Sequence, residues 1–182
     1  YLDFTGHEPS GVSGQLIPWN YPVEIAARSL AAGLATGNAC VVKTPELDPL
    51  SSAYLALAAE YAGLPRGAVN ILCGYGHEAG DALSAHADVN QVVFTGSVQT
   101  GMLIAANAAK HVAPCVLELG GKSAAIVYPD ADLDNLEQSI RWGIYFNAGQ
   151  VCSALSRLIV HESIRDEVVE RAAAVAACLD VG

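Results

Sequence analysis

The stretch "SGQLIPWNYPVEIAARSLAAGLATGNACVVK", Ser13 to Lys43, decides how the chain is read. "SGQLIP" suits a short strand. Val23, Ala26, Ala27, Leu30 and Leu34 then recur at helical spacing, and Gly37 is a plausible stop. "ACVVK" is apolar, β-branched and bounded, which reads as a buried strand. Strand, helix and buried strand in that order form a βαβ unit, whose two strands run parallel.

The same alternation continues outward. "SSAYLALAAEYAGLP" predicts a helix ending near Gly63 and Pro65, "AVNIL" a strand, and "GHEAGDALSAHA" a short helix. "NQVVFTG" and "SVQTGMLIAANAAKH" repeat strand then helix, and "PCVLELGG" and "KSAAIVY" are further apolar runs. "DADLDNLEQSIRWGIYF" carries acidic residues where a helix would begin. "RLIVHE" predicts a strand, and the Ser163-x-x-Asp166 pattern predicts a capped closing helix. The expected fold class is therefore α/β: a Rossmann-like parallel sheet with helices on both faces.

Composition narrows the function classes. The 182 residues are 52 % hydrophobic and 15 % charged, enough apolar surface for a packed core. Mean hydropathy is +0.33 and the pI about 4.7. A net charge of -10 argues against nucleic acid as a partner. No apolar run reaches membrane-spanning length unbroken, and no signal-peptide pattern is seen at the start. The five cysteines are odd in number, scattered and without a CxxC or Cys/His cluster. They predict reduced thiols, a cytoplasmic location and no metal site. Cys40, Cys73, Cys115 and Cys178 lie in apolar or alanine-rich runs and are expected to be small buried hydrophobes.

Cys152 differs. It sits in "FNAGQVCSALSR", Phe146 to Arg157, after a polar turn and with no aliphatic stripe to join. A thiol in such a loop can be an activated nucleophile. Glu118 lies in the apolar run "VLELGG". If the strand ends at Leu119, partial burial at a ligand-facing edge would raise its pKa and suit it to general-base work; the alternative is a solvated strand-end glutamate. Asn20, between Pro18 and Pro22 in "PWNYP", is either a pinned oxyanion donor or a helix N-cap. In "VVKTPE", Lys43 and Glu46 end a buried strand and could bind the hydroxyls of an adenosine ribose. "GYGHEAG" is glycine-rich, but its GxGxxxG spacing misses the dinucleotide fingerprint. "FTGS" closes a strand and opens a helix, placing Ser97 where a pyrophosphate could meet helix amides.

Taken together, "GQLIPWNYP", "VVKTPE", "VVFTGSVQTG", "LELGGKSAAIV" and "FNAGQVCSALSR" resemble the aldehyde dehydrogenase superfamily, in its order and spacing, across essentially the whole chain. The resemblance implies NAD-dependent oxidation of an aldehyde to a carboxylic acid through a thiohemiacetal and a thioester. Cys152 matches the nucleophile, Glu118 the general base, and Asn20 the oxyanion-hole amide acting with the Cys152 N–H. Lys43 and Glu46 match adenosine-ribose contacts, with Glu46 favouring NAD over NADP. Ile17, Trp19, Gly76, Gly80, Thr95, Gly96 and Ser97 match the cofactor cleft, and Leu119 and Gly120 the segment near the nicotinamide. Tyr21, Trp142 and Tyr145 either line the aldehyde tunnel or pack in the core.

The resemblance further implies that the chain is a piece of a longer protein. Residues 1–9 would end an oligomerisation strand, 10–120 would form most of the NAD-binding domain, and 121–182 would open the catalytic domain. The full-length parent would be a homo-oligomer, dimer or tetramer. Two alternatives are a CoA-acylating relative, against which Glu118 argues, and a catalytically silent nucleotide-binding or structural relative. By itself the piece would expose normally covered core surface and could be inactive.

Overall fold

The structure is a computed structural model that describes residues 1–181. Contacts divide the chain into two compact units, Tyr1–Leu119 and Gly120–Gly182.

The first unit is built on five parallel strands: β1 (Val12–Leu16), β2 (Ala39–Lys43), β3 (Val69–Leu72), β4 (Gln91–Gly96) and β5 (Cys115–Leu119). Their order is β3-β2-β1-β4-β5, and every pairing is parallel. Alternate strand side chains serve opposite faces. Ile17, Cys40 and Val42 pack beneath Ile25, Ala26 and Leu30 of α1 (Pro22–Ala35). On the other face Leu16, Val92 and Phe94 meet Leu83 of α3 (Asp81–Ala85) and Ile104 and Ala108 of α4 (Val98–Ala109). The helix α2 (Pro49–Tyr61) crosses from β2 to β3 beside α1. Residues 1–10 carry no helix or strand and are exposed.

Local chemistry explains the boundaries. Pro22 stands in the first turn of α1, where its missing N–H costs nothing. Gly37, at φ +81°, ends that helix: its N–H bonds to Leu34 and that of Asn38 to Gly33. Asp48 caps α2 by accepting from Ser51 N, and Ser97 caps α4 by accepting from Thr100 N at 3.2 Å. The segment after β3 forms a π-helical turn at Gly76–Gly80 before α3 begins.

The second unit holds β6 (Ala124–Val127) and β7 (Arg157–Val160), paired in parallel, with α5 (Leu133–Ile140) and α6 (Arg165–Ala177). Val127, Leu136, Ile140, Val168 and Val175 form its core. Arg171 of α6 joins the helices by meeting Glu137 at 2.8 Å, Asp134 at 3.0 Å and Glu167 at 3.2 Å. The hydrogen bond that Arg171 donates to Asp134 leads the effects that raise its guanidinium pKa.

Three local expectations change. The helix expected through Phe146 stops at Ile140 and loosens into a π-helical turn, Arg141–Tyr145, then a tight turn, Phe146–Gly149. The Ser163–Asp166 cap does not form: the His161 side chain accepts from Ser163 N at 3.2 Å, and α6 starts at Arg165 without a side-chain cap. Of the four cysteines expected to be buried, Cys40 is buried and Cys115 intermediate, whereas Cys73 and Cys178 are exposed. Cys73 follows the last residue of β3 and Cys178 the last of α6, so neither shares the element's packed face.

Candidate active-site elements

In the first unit, α1 returns from β1 to β2 on one face and α4 from β4 to β5 on the other. The chain therefore diverges between β1 and β4, and the crevice beyond their carboxyl ends is where open parallel sheets hold ligands. Asn20 lies four residues past the end of β1, Lys43 closes β2, and Ser97 follows β4 directly. Gly76 and Gly80 bound the π-helical turn beyond β3. Glu118 and Leu119 close β5. The backbone thus collects the expected residues of this unit at one edge of the sheet.

The tightest cluster is Lys43, Glu46 and Gly76. Lys43 is buried, with its ammonium 3.8 Å from Glu46 Oε2, while Glu46 is half-exposed. The same oxygen accepts the Gly76 N–H at 2.7 Å. That bond ties the loop after β2 to the loop after β3 and fixes the carboxylate. The Tyr75 and His77 rings stack across Gly76 with centroids 5.6 Å apart, a platform that glycine counting alone did not indicate.

Just after β1, Ile17 is buried and its N–H bonds to Lys43 O, while Trp19 is exposed. Asn20 is not the N-cap of α1; Tyr21 holds that position and makes no side-chain cap bond. On β4, Thr95 is buried with its hydroxyl unpartnered, and the register sets it beside Glu118. Gly96 is paired with Leu119, and a Cβ on Gly96 would strike the Phe94 ring at 2.5 Å. Gly96 is therefore required by its neighbour's ring. Ser97, as a helix cap, leaves the first amides of α4 pointing outward.

Glu118 is exposed, so the expected burial is not found. It lines a groove of about 1060 Å³ on the α1 side of the sheet, together with Gln15, Arg28, Val93 and Val116. The groove is the part of that face beyond the reach of α1, not the crevice at the carboxyl ends. Gln15 lies at its floor, fully buried, donating to Ser29 O at 3.0 Å with its Oε1 unpartnered. The strand pattern of "SGQL" could have flagged that buried amide.

In the second unit, Cys152 is exposed in a turn closed by the Ala154 N–H to Val151 O bond at 3.1 Å. Before it, Asn147, Ala148 and Gly149 all have positive φ, a left-handed run that reverses the chain. Gly149 is needed, since at φ +75° a Cβ would also lie 2.9 Å from Ile144 O. Gly121 approaches Cys152 O, which a Cβ at position 121 would meet at 3.6 Å, and Gly120 precedes it. A cavity of about 460 Å³ beside this loop is lined by Lys122, Tyr145, Val151 and Ser156. Trp142 is exposed and tilts against Phe146 at 5.5 Å, so it is not a core residue. Among the described residues no His, Cys, Asp and Glu group could hold a metal ion, and no helix is long and apolar enough to cross a membrane.

The strand order, the parallel pairing and the two-faced helical cover define a doubly wound, Rossmann-like α/β unit. The family model described as "Aldehyde dehydrogenase family" matches residues 1–182. The chain belongs to the aldehyde dehydrogenase family. It is 46 % identical over 182 residues to a putative aldehyde dehydrogenase, DhaS, of Bacillus subtilis, covering 100 % of this chain and 37 % of that protein. It is 49 % identical over 169 residues to a hydroxyisobutyraldehyde dehydrogenase of Mycolicibacterium austroafricanum, covering 93 % and 34 %. Among solved structures, an NAD+ complex of an aldehyde dehydrogenase from Bacillus cereus superposes with a TM-score of 0.93 at 43 % identity, over 97 % of this chain and 36 % of that one. The chain thus spans about a third of the length of the relatives it matches.

Proposed function

We propose that the protein to which this chain belongs oxidises an aldehyde to a carboxylic acid with NAD. The observation that carries the reading is the placement of Asn20, Lys43, Glu46 and Ser97 at the carboxyl edge of a parallel sheet, within a chain matched along its whole length by the aldehyde dehydrogenase family. The Bacillus cereus relative, of the same fold, is an NAD+ complex.

The residues fit that cofactor. Among the described residues the buried Lys43 side chain approaches a half-exposed carboxylate at 3.8 Å, which leaves donor capacity for ribose hydroxyls. The fixed Glu46 carboxylate suits a free ribose 2'-hydroxyl and would repel a 2'-phosphate. Ile17, Trp19, Gly76, Gly80, Thr95, Gly96, Ser97, Leu119 and Gly120 would line the rest of the cleft. Bound there, NAD would supply the hydride acceptor.

The chain's own residues would do the remaining work. The Cys152 thiolate attacks the aldehyde carbon and forms a thiohemiacetal. Asn20 Nδ2 and the Cys152 N–H donate to its oxyanion, a charge that develops only in the reaction. Loss of hydride leaves a thioester on Cys152. By the family resemblance Glu118 would take a proton from the water that attacks it, releasing the acid and the thiol, and its exposed carboxylate would have to turn from the groove toward the crevice to do so. Residues 1–9 would pair as the end of an oligomerisation strand in a homo-oligomer, 10–120 would belong to the NAD-binding domain, and 121–182 would open the catalytic domain. A cytoplasmic site suits five unpaired thiols.

The test uses the full-length protein with NAD, a panel of aldehydes and NADH absorbance. Turnover without CoA, abolished in Cys152→Ala and lowered about 10²–10³-fold in Asn20→Ala, is expected. Turnover only with CoA, or silence with every aldehyde despite bound NAD, would overturn the reading.

A further inference from the structure

The strands β6 and β7 begin together, with Ala124 opposite Arg157. The Arg157 N–H donates to Ser123 O at 3.2 Å, the first rung of that ladder. Toward Cys152 the backbone turns away. The Leu155 N–H, which the next rung would need, is committed to Gly143 O at 2.8 Å, and the Ser156 N–H donates to Ala154 O at 2.8 Å. The backbone ladder therefore stops, and a side chain extends it: Arg157 Nε donates to Lys122 O at 2.9 Å, across 35 positions. A guanidinium bond of this kind is charge-assisted and stronger than the neutral rungs beside it.

The segment held by that bond needs holding. Gly120 and Gly121 precede Lys122, and neither has a side chain to anchor it. The Lys122 ammonium bonds back to Gly121 O at 3.1 Å, which ties the segment only to itself. The cavity of about 460 Å³ beside Gly121 and Lys122 leaves room for them to drift. On its other side Gly121 lies close to Cys152 O. A drift of Gly121 would free the Cys152 carbonyl to turn, and the backbone angles of Cys152 with it.

We propose that Arg157 is a positioning residue for Cys152: by holding Lys122 O it keeps Gly121 against Cys152 O, and so fixes the directions of the Cys152 N–H and thiol. This rests on the reading of Cys152 as the nucleophile, and adds the residue that aims it. Aim matters because misplacing a reacting group by about 1 Å can cost on the order of 10² in rate.

The experiment measures the single-turnover rate of NADH formation, and the KM for NAD, on the full-length protein. Three variants separate the hydrogen bond from the charge. Gln places its side-chain nitrogen the same number of bonds from Cα as Arg Nε. Met has that length without a donor, and Lys keeps the charge but sets its nitrogen one bond further out. Arg157→Met is expected to lower the rate about tenfold at an unchanged KM for NAD. Arg157→Gln is expected to recover most of that loss and Arg157→Lys to stay impaired. Should Arg157→Met fail to fold, the order of the other two carries the test. A native rate in Arg157→Met overturns the proposal, as does a lysine variant faster than the glutamine one. A matching rise in the KM for NAD also overturns it, because a general loosening of the protein would produce that. Native turnover that is lost in Cys152→Ala but kept in Arg157→Met removes this proposal alone. Silence of the native protein with every aldehyde removes the nucleophile reading and this proposal together.

Discussion

Lys43 Nζ stands 3.8 Å from Glu46 Oε2 at the carboxyl end of β2, the lysine buried and the glutamate half-exposed. Glu46 also holds the Gly76 N–H at 2.7 Å, so one carboxylate organises two loops. Glu46→Gln keeps an acceptor for Gly76 but removes the charge. Since a hydrogen bond to a charged group contributes about 1.5–3 kcal/mol, the KM for NAD is expected to rise on the order of tenfold or more. The preference over NADP should fall with it, and cofactor titration of the full-length protein checks both.

Lys43→Met separates binding from stability. The Lys43 side chain is buried and its ammonium stands 3.8 Å from Glu46, and replacing such a group with an apolar side chain of similar length is often neutral or stabilising. The expected result is a melting temperature equal to or above the native one, with weakened NAD binding measured by calorimetry. A fall of several degrees would mean that the ammonium is satisfied within the protein.

Val112 closes the turn after α4 at φ +61°, and it is exposed. A β-branched residue is strained in that region. Val112→Gly, or Val112→Asn, should stabilise the protein by about 1 kcal/mol, read as a higher denaturation midpoint with an unchanged slope.

Cys40 and Cys115 both hold their protons more tightly than ordinary thiols, through burial; at Cys40 a hydrogen bond with Gln15 offsets part of that rise. A raised folded pKa means that the stability tied to the neutral thiol is fully present below the unfolded value, about 8.5, and is lost as pH climbs through the folded one. Stability should therefore decline above about pH 8.5, and Cys40→Ala should flatten that decline while lowering stability at pH 7 through the cavity it leaves. Denaturation midpoints from pH 7 to 10 check the sign.

The sequence alone determined the fold class and the strand ends at which Lys43 and Ser97 stand. Apolar runs of about five residues alternating with helical stretches permit little besides a parallel sheet, and "VVKTPE" and "FTGS" mark strand ends by their glycine, proline and hydroxyl residues. Those signals are local, since periodicity and turn chemistry act over a few residues. Tertiary structure alone decided the rest. Glu46 reaches across thirty positions to Gly76, and the apolar run around Glu118 ends on an exposed face because α1 does not extend over β5. His161 displaced the expected Ser163 cap, and Trp142 lies exposed against Phe146 rather than in the core. Burial and pairing depend on which elements meet in space, and a short-range pattern records only that a segment has an apolar side.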